Sequence, residues 1–141
     1  MTFTSSCGKF PEVRAEIHPR VLVIDEEPLV RWSLVAGLRH AGFDAVPAAT
    51  PEEARALGLP SPDVVLLDVR LWGKDPQHLV DEIRSICTRC RLLLLAVEGQ
   101  EVPVPDWKDV DVIRKPFDLN VVVRRVAEVL ASPRHGVRMA V

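Results

Sequence analysis

The chain has no tyrosine, only three cysteines and no surplus of positive charge. Each shortage closes off a class of function. Eighteen basic against twenty acidic residues leave a formal charge of −2. That is too little cation to hold nucleic acid by its phosphates, so direct nucleic-acid binding is not expected. An odd number of cysteines (Cys7, Cys87 and Cys90) suits a reducing compartment better than a disulfide scaffold. No apolar run approaches the ~20 residues that a bilayer requires. The longest, Leu92 to Val97, is strand-sized. Residues 1–9 lack the apolar core of a secretory signal. A cytoplasmic chain without membrane contact is the expectation. What is present is ordinary globular material: 141 residues, 48% hydrophobic and 27% charged. That suffices for one domain whose core needs no staple.

Proline and glycine divide the chain. Residues 1–19 hold no sustained period and read as an N-terminal arm. Val21-Leu22-Val23-Ile24 is apolar at every position and ends at Asp25. Such a run marks a strand covered on both faces, as in a parallel sheet. Pro28 opens a helix with Val30, Leu34, Leu38 and Ala41 on one face, stopped at Gly42. Phe43 to Pro47 is a second strand, and Thr50 caps a helix from Pro51 that fades by Gly58 and Pro60. Val64 to Leu67 is a third strand ending at Asp68, followed by a helix from Pro76 with Leu79, Ile83, Ile86 and Cys87 on one face. Leu92 to Val97 is the fourth strand. From Glu98 to Asp109 the period fails around Pro103 and Pro105, so the fourth helix is expected to be shortened or broken. Val110 to Ile113 is the fifth strand. Asp118 caps a last helix with Leu119, Val122, Val123, Val126 and Leu130 inward, and residues 132–141 read as a tail.

Strand and helix alternate, which implies an α/β fold with helices on both faces of a parallel sheet. A flavodoxin-like, doubly wound five-stranded sheet of order 2-1-3-4-5 is the simplest solution, with the folded domain over residues 20–131. Ligands of such sheets bind outside the carboxyl ends of the strands. Those ends carry Asp25 and Glu26, Asp68, and Lys115. A single acid after a buried strand commonly caps the next helix or meets solvent. Charged residues at all of these ends together are not explained that way. Neighbouring carboxylates repel, and some resist ionisation. A hard cation such as Mg²⁺ relieves this while leaving positions for phosphate oxygens, and a lysine balances a phosphoryl group. The implied chemistry is in-line phosphoryl transfer to a carboxylate.

Three segments carry a resemblance: Val21 to Pro28, Val64 to Leu71 and Val112 to Phe117. In them the sequence resembles the receiver domain of bacterial two-component response regulators, the CheY-like family. Arg31-Trp32-Ser33-Leu34 is further similar to the first helix of receivers attached to sigma-54-dependent activators. The resemblance implies a phosphoprotein in a signalling or phosphorelay pathway, not an enzyme. Asp68 is then the phosphoacceptor, charged by a sensor histidine kinase or phosphotransfer protein. Glu26 binds Mg²⁺ directly and Asp25 largely through water. The backbone carbonyl of Arg70 completes the metal site, Lys115 contacts the phosphoryl group, and the Lys115-Pro116 bond is cis.

Two positions depart from the pattern. Receivers carry Ser or Thr at the end of strand 4, where this chain has Ala96. They carry Tyr or Phe in strand 5, where it has Val112. The phosphate-accepting site therefore looks nearly complete while the relay that reports it looks dismantled. A pseudo-receiver, docking to partners without phosphorylation, stays open as the alternative. A dehalogenase-like phosphatase needs a second aspartate two residues after the first, and Arg70 stands there. Cys87-Thr88-Arg89-Cys90 reads as an ordinary helix end in preference to a zinc site. Trp72 and Trp107 are placed in loops near the site. Val121 and Val129 are candidates for a homodimer face. About ten residues beyond 131 cannot fold alone, so a stand-alone receiver and a piece of a longer regulator are both compatible with the sequence.

Overall fold

The computed structural model describes residues 18–72, 76–97, 99, 110–115 and 117–132. The arm expected over 1–19 and the tail over 132–141 lie outside the described residues, save His18, Pro19 and Ser132. So does the broken helix expected over 98–109, save Gly99. Trp107 and Pro116 are outside as well.

Five strands form one parallel sheet: β1 (Arg20–Ile24), β2 (Asp44–Ala48), β3 (Val64–Asp68), β4 (Arg91–Val97) and β5 (Val110–Lys115). Their spatial order is β2-β1-β3-β4-β5, the order expected of a doubly wound sheet. Between them run α1 (Pro28–His40), α2 (Pro51–Ala56), a short 3-10 helix (Val69–Trp72) and α3 (Pro76–Ile86), and α4 (Leu119–Ala131) closes the fold.

The all-apolar strands do what that pattern demands. Alternate side chains of one strand enter different cores. Val21, Val23, Val64, Leu66, Leu93 and Leu95 pack with Leu34, Val35 and Leu38 of α1 and Val122 and Val126 of α4. Leu22, Ile24, Val65, Leu67, Leu92 and Leu94 pack with Ala54 of α2 and Leu79, Ile83 and Cys87 of and beside α3. Local chemistry fixes the helix ends. Pro28 stands in the first turn of α1, and Gly42 adopts φ 100° just after it, a conformation that costs other residues a steric clash. Thr50 Oγ1 accepts the Glu53 N–H at 3.1 Å, and Asp118 accepts the Asn120 N–H at 2.8 Å.

One expectation is corrected. Cys87 and Cys90 are not an unlinked helix end; they are joined in a disulfide, with Cα atoms 5.9 Å apart. The physical reason is the tight return from α3 to β4. Cys87 closes the last turn of the helix on Ile83, and β4 begins at Arg91, so both sulfurs are buried against the same core.

Candidate functional site

The strand register brings the acids together. Ile24 pairs with Leu67, so the next residues, Asp25 and Asp68, emerge side by side. Both are buried, at 0% and 1% exposure. Each folds the following chain over itself. Asp25 Oδ1 accepts the Glu27 N–H at 2.9 Å, and Asp68 Oδ1 accepts the Arg70 N–H at 3.0 Å. These are aspartate turns, in which a short side chain stands in for a backbone carbonyl. Arg31 of α1 donates from Nη1 to the Asp25 carbonyl at 2.7 Å, tying the helix to the strand end.

Two cations close the group. Lys115, at the end of β5, places Nζ 3.6 Å from Asp25 Oδ2, 3.9 Å from Asp68 Oδ1 and 4.0 Å from Glu27 Oε1. Arg70 donates to Asp68 Oδ2 from Nε at 3.0 Å and from Nη2 at 2.8 Å. The same Nη2 lies 2.9 Å from Glu27 Oε1 and 3.8 Å from Asp25 Oδ1. Three carboxylates thus face two cations, with Asp25 and Asp68 buried and Glu27 and Arg70 partly open to solvent.

Asp25 registers that imbalance. Burial pushes its carboxyl above the usual aspartate value; the Glu27 N–H opposes this, the nearby Asp68 charge adds to it, and Lys115 and Arg70 oppose it. Its Oδ2 is buried without a hydrogen-bond partner. Arg70 is shifted upward, chiefly by its hydrogen bonds to Asp68, so its charge is secure. An orphaned buried carboxylate oxygen beside a second buried carboxylate is a hard-oxygen donor pair of the kind Mg²⁺ takes. The residues present therefore fit that ion in chemistry. Among the described residues, however, no three ligating side chains cluster as a ready-made metal site.

Asp25, Asp68 and Lys115 come together at the strand ends; Arg70 joins them through its guanidinium and N–H, where the resemblance implies a role for its carbonyl. Glu26 does not: it is exposed and joins none of these contacts. Glu27 takes part in its place. Glu27, Arg31 and the Arg70 guanidinium were not foreseen as members of the group. For Glu27 the signal was present in the unbroken acidic run Asp25-Glu26-Glu27. Ala96 is buried one residue beyond Leu95, the register partner of Asp68, and offers no hydroxyl there. Val112 is half-buried and packs against the core that contains Ala96.

No family model matches the chain. Individual relatives do. The chain is 33% identical over 129 residues to the transcriptional regulatory protein AruR of Pseudomonas aeruginosa, covering 84% of this chain and 52% of that protein. Its fold matches the receiver domain of the hybrid histidine kinase CckA at 25% identity and a TM-score of 0.64, over 79% of this chain and 98% of that one. The chain belongs to the response-regulator receiver family. NtrX of Brucella abortus matches in fold at 22% identity with a TM-score of 0.65, over 81% of this chain and 26% of its own. The chain spans about half the length of the first curated relatives it matches. Receiver domains generally bind Mg²⁺ for phosphorylation and interact with histidine kinases or phosphotransfer proteins. No helix among the described residues is long and apolar enough to cross a membrane.

Proposed function

We propose that Asp68 accepts a phosphoryl group from a phosphohistidine on a sensor kinase or phosphotransfer protein, assisted by Mg²⁺. In this reading an oxygen of Asp68 forms the new P–O bond as the P–N bond of the donor breaks, and the bonding pair returns to the imidazole nitrogen. Asp25, Asp68 and the Arg70 carbonyl would hold the ion. The ion supplies charge neutralisation at the phosphoryl oxygens. Lys115 supplies the second positive charge on that group. The observation that carries the reading is the meeting of three distant strand ends, with Lys115 Nζ within 3.9 Å of both Asp25 and Asp68. Incubation with acetyl phosphate and Mg²⁺ tests it by intact mass. One phosphoryl group is expected on the wild type and none on Asp68→Asn; equal masses would refute it.

Ala96 and Val112 favour a second reading, a pseudo-receiver that binds its partner whether or not Asp68 is modified. A methyl cannot donate to a phosphoryl oxygen, and the small Val112 side chain supplies no ring to reorient. Partner binding that Asp68→Asn abolishes would exclude this alternative.

A further inference from the structure

Both oxygens of the Asp68 carboxylate are engaged by a single residue. Oδ2 accepts two hydrogen bonds from the Arg70 guanidinium, at 2.8 and 3.0 Å, and Oδ1 accepts the Arg70 N–H at 3.0 Å. The same guanidinium bridges to Glu27 at 2.9 Å and approaches Asp25 at 3.8 Å. We infer that the Arg70 guanidinium is a resident cation of the acidic pocket, holding the charges of Asp25, Glu27 and Asp68 together in the metal-free protein and withdrawing when a divalent cation enters. The inference rests on the metal-assisted phosphoacceptor reading above and deepens it by naming what regulates entry to that site.

Three features support this role. The first is geometry. Arginine presents a planar fork that grips a carboxylate with paired N–H groups, whereas a lysine ammonium acts as a point charge. Lys115 comes no closer than 3.6 Å to any of the three acids, beyond hydrogen-bond distance. The direct contacts to Asp68 are therefore those of Arg70. The second is mobility of position. The Arg70 side chain is 40% exposed, while Asp25 and Asp68 are at 0% and 1%. The guanidinium can leave for water, whereas the two buried aspartates cannot. The third is electron bookkeeping at the nucleophile. An Asp68 oxygen that bonds to phosphorus must present a free lone pair, and the bonds from Arg70 occupy that density. A ligand that enters by displacing a resident partner binds more weakly by the contacts given up.

The test is magnesium binding by isothermal titration calorimetry, together with thermal melts with and without the ion. Arg70→Met keeps a long stem and removes the charge. It is expected to bind Mg²⁺ about tenfold more tightly than the wild type, given the usual strength of a charged, forked hydrogen bond. Its metal-free form should melt at lower temperature, and Mg²⁺ should raise that temperature by more than it does for the wild type. Arg70→Lys keeps the charge without the fork and should fall between the two. A residue that merely supports the pocket would show the opposite sign, with weaker metal binding on its removal. Unchanged or weaker binding by folded Arg70→Met, beside a wild type that binds, overturns the inference alone. Absence of Mg²⁺ binding by the wild type and both variants overturns the phosphoacceptor reading and this inference with it.

Discussion

Lys115 Nζ lies 3.6 Å from Asp25 Oδ2, a buried carboxylate oxygen that no hydrogen bond satisfies. The two residues are separated by nearly the whole folded chain and meet only because β5 and β1 end on the same edge of the sheet. Lys115 is 16% exposed, so its attraction to Asp25 is weakly screened. Removing it leaves the acids with Arg70 as their close cation. Lys115→Met should lower stability by ~2 kcal/mol, less than the loss from breaking a fully buried pair because no hydrogen bond is broken. Urea denaturation of the metal-free protein measures this. The same variant should take up less phosphoryl group from acetyl phosphate.

Asp25 should make the metal-free protein less stable as its charge develops. Its folded-state value is raised by burial and by Asp68 from the ordinary 3.8. Between those two values the folded state binds more proton than the unfolded state, so this group's contribution to stability falls as pH rises. Asp25→Asn removes the ionisation and can keep the oxygen that accepts the Glu27 N–H. Without metal, it should be more stable than the wild type near neutral pH by about 0.5–2 kcal/mol. The difference should shrink as pH is lowered through the raised value toward 3.8. Paired urea curves across that range decide the matter; a difference independent of pH would contradict the assignment. Saturating Mg²⁺ should reverse the order of the two proteins.

The strand ends were legible in the sequence because continuous apolar runs specify strands covered on both faces, and the charged residue that ends each run marks its carboxyl end. Asp25 and Asp68 follow from that rule alone; Lys115 does not, because Asp111 interrupts the fifth run and Arg114 is the first charge beyond Ile113. Nor does the Arg70 guanidinium. Its direction depends on the short 3-10 turn after β3 and on the Asp68 turn that folds the backbone back. Neither leaves an apolar period. Glu26 and Glu27 show the same difficulty: adjacent acids on a loop differ in direction by a backbone dihedral that sequence spacing does not encode. The Cys87–Cys90 bond was missed because counting cysteines addresses the compartment, whereas the bond reflects the local return of the chain.

Ala96 offers a direct way to restore a missing donor. It is buried at 1% exposure at the end of β4. A hydroxyl placed there without a partner should cost ~1–2 kcal/mol in the unmodified protein. With a phosphoryl group on Asp68, the same hydroxyl gains an acceptor. Ala96→Ser is therefore expected to be less stable in urea yet to hold a larger phosphorylated fraction after acetyl phosphate treatment, read by intact mass. A smaller fraction would count against a phosphoryl group lodged beside β4.

Gly37 of α1 sits against Leu119 of α4. A Cβ added there would lie 2.7 Å from Leu119 Cδ2 and 2.9 Å from Cγ, closer than carbon atoms pack. Alanine would gain ~1 kcal/mol of helix propensity, but overpacking costs about 1–3 kcal/mol. Gly37→Ala should lower stability by ~1 kcal/mol on balance. In a double-mutant cycle, Leu119→Ala should remove much of that penalty. A cycle without coupling would mean that the helices do not meet as described.

The sheet divides the interior into two insulated compartments. Leu34, Val35, Leu38, Val122 and Val126 fill one, and Ala54, Leu79 and Ile83 fill the other, with every central strand contributing separate side chains to each. A volume error on one side has no neighbour across the backbone layer to absorb it. Either compartment can thus be redesigned while the opposite one serves as its internal control.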